Sequence, residues 1–67
     1  MQINLKGKLR SLRLQKNITQ EALANHLGIT PQSVGKWERG EGYPDITILP
    51  SIAHFFHVTL DELMGMD

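Results

Sequence analysis

Gln32, Ser33, Lys36 and Arg39 fall within one short stretch, Pro-Gln-Ser-Val-Gly-Lys-Trp-Glu-Arg (residues 31–39), and offer hydrogen bonding and positive charge. At 100° per residue, Gln32, Lys36 and Arg39 gather on one side of a helix, with Ser33 and Gly35 at its margins. Val34 and Trp37 gather on the other side, which must face a core. A glutamine amide matches the adenine edge, a lysine ammonium suits guanine O6 and N7, and a serine hydroxyl adapts to either. An ordinary solvated helix face is polar as well, so the flanking chemistry has to decide between the two.

That chemistry favours a helix presented outward. Thr30 is a preferred N-cap, and Pro31 occupies the first helical position, where a missing N–H costs nothing. A shorter helix precedes it, capped by Thr19 and running from Gln20 to Leu27, and Gly28 lets the chain leave it in a left-handed conformation. Two short helices joined by a glycine turn form the helix-turn-helix pattern, whose second helix enters the DNA major groove.

The remaining elements follow from apolar spacing and caps. A first helix is expected from about Ile3 to Lys16, burying Leu5, Leu9 and Leu12, with Asn17 ending it and Ile18 anchoring the turn. Leu14 lies opposite that stripe, either exposed or touching another chain. The turn-rich segment Gly40-Glu41-Gly42-Tyr43-Pro44 leads to a fourth helix carrying Leu49, Ile52, Ala53 and Phe56, widened by Ile48 and Phe55. Asp45 or Thr47 is its candidate cap, and Pro50 favours a late start. Thr59 and Glu62 form a T-x-x-E capping box for a fifth helix, with Val58 stapled onto Leu63, and Leu60, Leu63 and Met64 are expected to face inward.

Length and composition suit one small binding domain over residues 1–67. A chain of 67 residues is near the lower limit for folding on a hydrophobic core alone. Cysteine is absent, which excludes disulfides, thiolate metal sites and a cysteine nucleophile, and suits a cytoplasmic protein. No apolar run approaches the ~20 residues of a membrane span. Net charge is zero, but its distribution is lopsided. All seven basic residues lie in 1–40 against Glu21 and Glu38, a balance of +5, while 41–67 carries only acids, a balance of −5. A positive face and a negative rear follow, with weak non-specific affinity for a single subunit.

Other chemistries find little support. His54 and His57 are three apart and share a helical face, but no cysteine or nearby carboxylate completes a zinc set, so no metal is expected. Ser11, Ser33 and Ser51 lack histidine and acid partners for nucleophilic catalysis. Gly40 and Gly42 lack the Lys-Ser/Thr of a phosphate loop. Neither enzymatic activity nor a cofactor is expected, and His26 reads as a surface residue.

The ordered set Leu12-Arg13, Thr19-Gln20-Glu21, Leu23-Ala24, Leu27-Gly28-Ile29-Thr30, Ser33-Val34, Lys36-Trp37-Glu38-Arg39-Gly40, Tyr43-Pro44-Asp45, Leu49-Pro50, Ile52-Ala53 and Val58-Thr59-Leu60-Asp61-Glu62-Leu63 resembles a known pattern. It is similar to the lambdoid phage repressor and Cro-like (XRE-type) family of helix-turn-helix transcription regulators. The resemblance covers nearly the whole chain. It implies an all-α, compact five-helix lambda-repressor-like domain, with helices 2 and 3 as the helix-turn-helix. It also implies binding to double-stranded operator DNA, usually as a homodimer and most often as a repressor, with half-sites about 10 bp apart.

Roles carry over by position. Gln32, Ser33 and Lys36 match base-reading positions. Gln20 matches a phosphate contact at a helix N-terminus, to which Thr19 adds a hydroxyl or serves only as a cap. Arg39 matches a backbone-contacting position. Arg13 and Glu38 match a partly buried ion pair, which makes Arg13 structural. Pro31 stands where some relatives place a base-reading side chain. Gly35 costs about 1 kcal/mol in mid-helix, and either permits close approach to DNA or reads nothing. Phe55, Met64 and Met66 are the expected dimer patch if so short a chain pairs by itself. Two alternatives stand beside regulation: an antitoxin that represses its own operon, and a module whose recognition face binds protein.

Overall fold

The computed structural model describes residues 3–66, leaving Met1, Gln2 and Asp67 outside the described residues. Its elements are α1 (Leu5–Gln15), α2 (Gln20–Leu27), α3 (Pro31–Arg39), α4 (Leu49–Phe56) and α5 (Leu60–Met64). No strand occurs among the described residues.

Local signals in the sequence account for most of these boundaries. Thr19 Oγ1 accepts the Ala22 N–H at 3.0 Å, and Thr30 Oγ1 accepts the Ser33 N–H at 3.3 Å. Each satisfies a donor that the first helical turn leaves without a partner. The capping box of α5 is complete: Thr59 Oγ1 accepts from Glu62 N, and Glu62 Oε1 accepts from Thr59 N, both at 3.1 Å.

All five helices also end alike. A left-handed residue follows each, and the next N–H returns to a carbonyl five residues back: Ile18 to Arg13, Ile29 to Ala24, Glu41 to Lys36, Val58 to Ala53 and Met66 to Asp61. Glycine takes the left-handed position in three of these turns, Asn17 in α1's and His57 in α4's, each of the last two at φ 57°.

The core lies where these helices cross. α1 contributes Leu5 and Leu9, α2 Leu23 and Ala24, α3 Val34 and Trp37, α4 Ile52, Ala53 and Phe56, and α5 Leu63. α3 packs against both α1 and α2, while α5 packs on α1 and α4. The Asn4 N–H donates to the Met64 carbonyl at 2.8 Å, tying the start of α1 to the end of α5. Burying each large aliphatic side chain contributes about 1.5–3 kcal/mol, so ten buried residues form a small core that tolerates few losses.

Four expectations are corrected. α1 runs from Leu5 to Gln15 rather than from about Ile3 to Lys16, because Asn4 precedes its first turn and Lys16 already belongs to the closing one. Neither Asp45 nor Thr47 caps α4; Ile48 stands there, without a side-chain cap. Asp45 instead folds the turn ahead of the helix, its Oδ1 accepting Thr47 N at 2.9 Å and Thr47 Oγ1 at 3.0 Å. Its carbonyl accepts the N–H groups of Ile48 and Leu49, which would otherwise need a cap, and Pro50 has none to satisfy.

Leu60 is 44% exposed, whereas Leu63, three positions on and on nearly the same side of α5, is fully buried. Phe55, Met64 and Met66 are half-buried rather than an open apolar patch. The Phe55 ring packs edge-on against Phe56 and at a tilt against the His26 ring, 4.3 Å away, with Lys16 Nζ 5.5 Å from its centroid. Leu14, Tyr43 and Ile46 are the more exposed apolar side chains, and among the described residues no helix is long and apolar enough to cross a membrane.

Candidate nucleic-acid interface

The two sides of α3 differ sharply. Val34 is fully buried and Trp37 is 7% exposed, whereas Gln32, Lys36 and Arg39 are exposed. The exposed side opens on a shallow hollow of about 400 Å³ lined by Gln20, Pro31, Gln32, Gly35, Lys36 and Arg39. Residues from the start of α2 and along α3 therefore converge on one surface, with amide, ammonium and guanidinium groups directed to solvent.

Arg13 and Glu38 fix the attitude of α3. Arg13 Nε donates to Glu38 Oε2 at 2.7 Å and Nη2 to Oε1 at 3.0 Å, while Nη1 donates to the Ile18 carbonyl at 2.8 Å. The two side chains are 11% and 4% exposed. The Glu38 hydrogen bond raises the Arg13 guanidinium above its ordinary value despite the opposing cost of desolvation, so the guanidinium keeps its charge. One arginine thus joins α1, the turn before α2 and α3.

Gln20 is part of the same network. Its Nε2 donates to Glu38 Oε1 at 3.2 Å, which orients the side-chain amide and leaves one Nε2 hydrogen for another acceptor. Thr19 Oγ1 is engaged as the α2 cap, with its hydroxyl hydrogen still available. The Ser33 and Thr30 hydroxyls lie 3.1 Å apart and share a hydrogen, so half-buried Ser33 is already bonded within the turn. Gln32 and Lys36 stand clear of such bonds and are the most accessible of the base-reading candidates.

Arg39 has a partner that the sequence reading missed. Its Nε and Nη2 donate to Glu41 Oε2 and Oε1 at 2.9 and 3.2 Å, in an ion pair with both side chains more than half exposed. The hydrogen bond and charge of Arg39 hold the Glu41 carboxyl below its ordinary value, and Glu41 in turn raises the Arg39 guanidinium. Gly35 is buried in mid-helix, and a Cβ built there would fall 2.9 Å from Arg39 Nη1 and 3.5 Å from Gln20 Oε1. The glycine therefore gives the folded-back guanidinium room. The available signal was Gly40: a left-handed residue at φ 77° between Arg39 and Glu41 turns the chain so that the two meet.

His54 and His57 are exposed, with ring centroids 6.3 Å apart. Among the described residues no group of three or more His, Cys, Asp or Glu side chains could hold a metal ion.

With this geometry established, comparison with known proteins is decisive. The HTH_3 helix-turn-helix family model matches residues 9–63. The chain belongs to this helix-turn-helix family. Its α2 and α3 form the motif, and its five helices have the lambda-repressor-like arrangement. Among curated relatives, the HTH-type transcriptional activator BcrR of Enterococcus faecalis is 49% identical over 58 residues, which are 87% of this chain and 28% of that protein. The chain thus spans little more than a quarter of that relative.

Among solved structures, the P22 c2 repressor protein in complex with synthetic operator 9T has a TM-score of 0.88 at 25% identity, covering 100% of both chains. The fold also recurs in hydroxypropylphosphonic acid epoxidase from S. wedmorenis, with 36% identity, a TM-score of 0.80, and coverage of 90% of this chain but 32% of that one. Helix-turn-helix domains of this kind therefore occur as parts of larger proteins.

Proposed function

We propose that the chain is the sequence-specific DNA-binding domain of a cytoplasmic transcription regulator. α3 enters the major groove of a double-stranded operator, and two copies on DNA read half-sites about 10 bp apart. One observation carries this reading: Gln32 and Lys36 stand exposed on the helix whose opposite side buries Val34 and Trp37. The P22 c2 repressor, matched throughout the chain of its solved structure, is in complex with an operator, which supports the same use of this face.

In this reading Gln32, Ser33 and Lys36 contact base edges, while Thr19, Gln20 and Arg39 hold the phosphate backbone and so set the register. The Arg13–Glu38 pair keeps α3 in place. Repression needs only occupancy of the operator, which is why a repressor is proposed ahead of an activator, although BcrR is named as an activator.

Selection of bound genomic fragments at two salt concentrations tests the proposal. A recurring, two-fold symmetric site whose affinity falls with salt is expected. In the rival reading the same face serves as a protein-interaction module; the fold's presence in an epoxidase shows only that it is not confined to regulators. Failure to enrich any fragment, together with salt-independent capture of a protein partner, would support that rival.

A further inference from the structure

We propose that Glu41 is a positioning residue for Arg39, holding its guanidinium over Gly35 so that the unused edge takes a DNA phosphate at the rim of the hollow. The inference rests on the DNA-binding reading and adds to it a residue that does not itself touch DNA. Arginine carries five N–H donors in a rigid fork. Glu41 occupies Nε and one hydrogen of Nη2, at 2.9 and 3.2 Å, leaving both Nη1 hydrogens and the second Nη2 hydrogen free. Those free donors form the end of the fork, the edge that binds two phosphate oxygens side by side.

The direction of that edge is visible at Gly35. A Cβ there would stand 2.9 Å from Arg39 Nη1, so the guanidinium lies back along α3. Gln20 Oε1 is 3.5 Å from the same point, and Gln20 and Arg39 line one hollow with Gln32 and Lys36. Arg39 is thus directed towards the first turn of α2, whose early N–H groups also favour an anion. Arg39 is more than half exposed, and without Glu41 its long side chain would sample many rotamers and lose that freedom on binding.

Glu41 is also an acid close to DNA, and the two effects have opposite signs. As a mere competitor for Arg39 or a source of repulsion, its loss would tighten binding and steepen the salt dependence. As a positioning residue, its loss weakens binding.

The test uses the selected operator carrying single neutral methylphosphonates, with affinity measured for wild type, Arg39→Gln, Glu41→Gln and the double variant. One methylphosphonate should weaken wild type and leave Arg39→Gln unaffected, which locates the Arg39 phosphate. Glu41→Gln should bind the unmodified operator about three- to tenfold more weakly, the scale of freeing one long side chain, and be less sensitive at that same phosphate. The effect of Glu41→Gln should vanish in the Arg39→Gln background. Gly35→Ala, whose Cβ displaces Nη1, should reproduce the loss at that phosphate.

Tighter or unchanged binding by Glu41→Gln would overturn the inference while leaving the DNA-binding reading intact. If wild type responds to no methylphosphonate and enriches no operator, the DNA-binding reading itself fails.

Discussion

Arg13 and Glu38 join α1 to α3 through two parallel hydrogen bonds of 2.7 and 3.0 Å, although they lie 25 positions apart in the chain. The pair is nearly out of solvent, and Gln20 Nε2 and the Ile18 carbonyl take up further groups on it. It therefore sets the rotation of the recognition helix about its own axis. That rotation decides which side chains are available to DNA.

Removing one partner would strand a charge. Arg13→Ala or Glu38→Ala is expected to destabilise the domain by about 3–5 kcal/mol, whereas replacing both with apolar residues of similar volume should cost much less. Urea denaturation of the two single variants and the double variant measures the coupling. Additive losses would mean that the two side chains act independently.

Trp37 closes the core beneath α3 and is 7% exposed. Its truncation to alanine is expected to cost about 3–5 kcal/mol, enough to unfold much of so small a domain. Circular dichroism against temperature reads this directly, and a Trp37→Ala melt like that of wild type would show the helix faces to be misassigned.

Acid should loosen the turn before α4. The backbone N–H of Thr47, and then its hydroxyl, hold the Asp45 carboxyl below its ordinary value. A carboxyl depressed in the folded state contributes stability that is present above its unfolded pKa, about 3.9, and lost as pH falls through the folded value. Thermal midpoints from about pH 5 downward should therefore fall for wild type, and Asp45→Asn should flatten part of that decline while keeping an acceptor oxygen in the turn. Identical pH profiles for the two proteins would remove Asp45 from the account.

Gly35→Ala should separate stability from recognition. Alanine is favoured over glycine by about 1 kcal/mol in a helix interior, and the atom a new Cβ meets most closely is the mobile end of Arg39. A rise of up to about 4–8 °C in the melting midpoint is expected for a domain of this size. A lower midpoint would mean that the Cβ meets something that cannot yield.

Much of the fold was legible because its signals are local. Thr19, Thr30 and Thr59 cap within three residues, and Asn17, Gly28 and Gly40 stop their helices within two. The 3.6-residue period alone separated Gln32 and Lys36 from Val34 and Trp37. What escaped depended on neighbours brought in by the fold or on side-chain direction. Leu60 shares a helical side with Leu63, but it stands at the first position of a five-residue helix and stays 44% exposed where Leu63 is buried. Phe55 reads as a free aromatic until His26 and Lys16 are seen against its ring.

The hydrogen bond from Gln20 to Glu38 and the grip of Glu41 on Arg39 depend on rotamers that spacing does not specify. Asp45 carries the right chemistry for a cap. It spends it one turn early, because the carbonyl of the same residue already serves Ile48 and Leu49.

The central claim is that the exposed side of α3 reads base sequence. Its most direct test measures the affinities of wild type, Gln32→Ala and Lys36→Ala for the selected operator and for random duplex at one salt concentration. Each variant should fold like wild type and lose about 1–3 kcal/mol on the operator beyond its loss on random DNA. Equal losses on the two duplexes, or none on either, would contradict a reading role for that face.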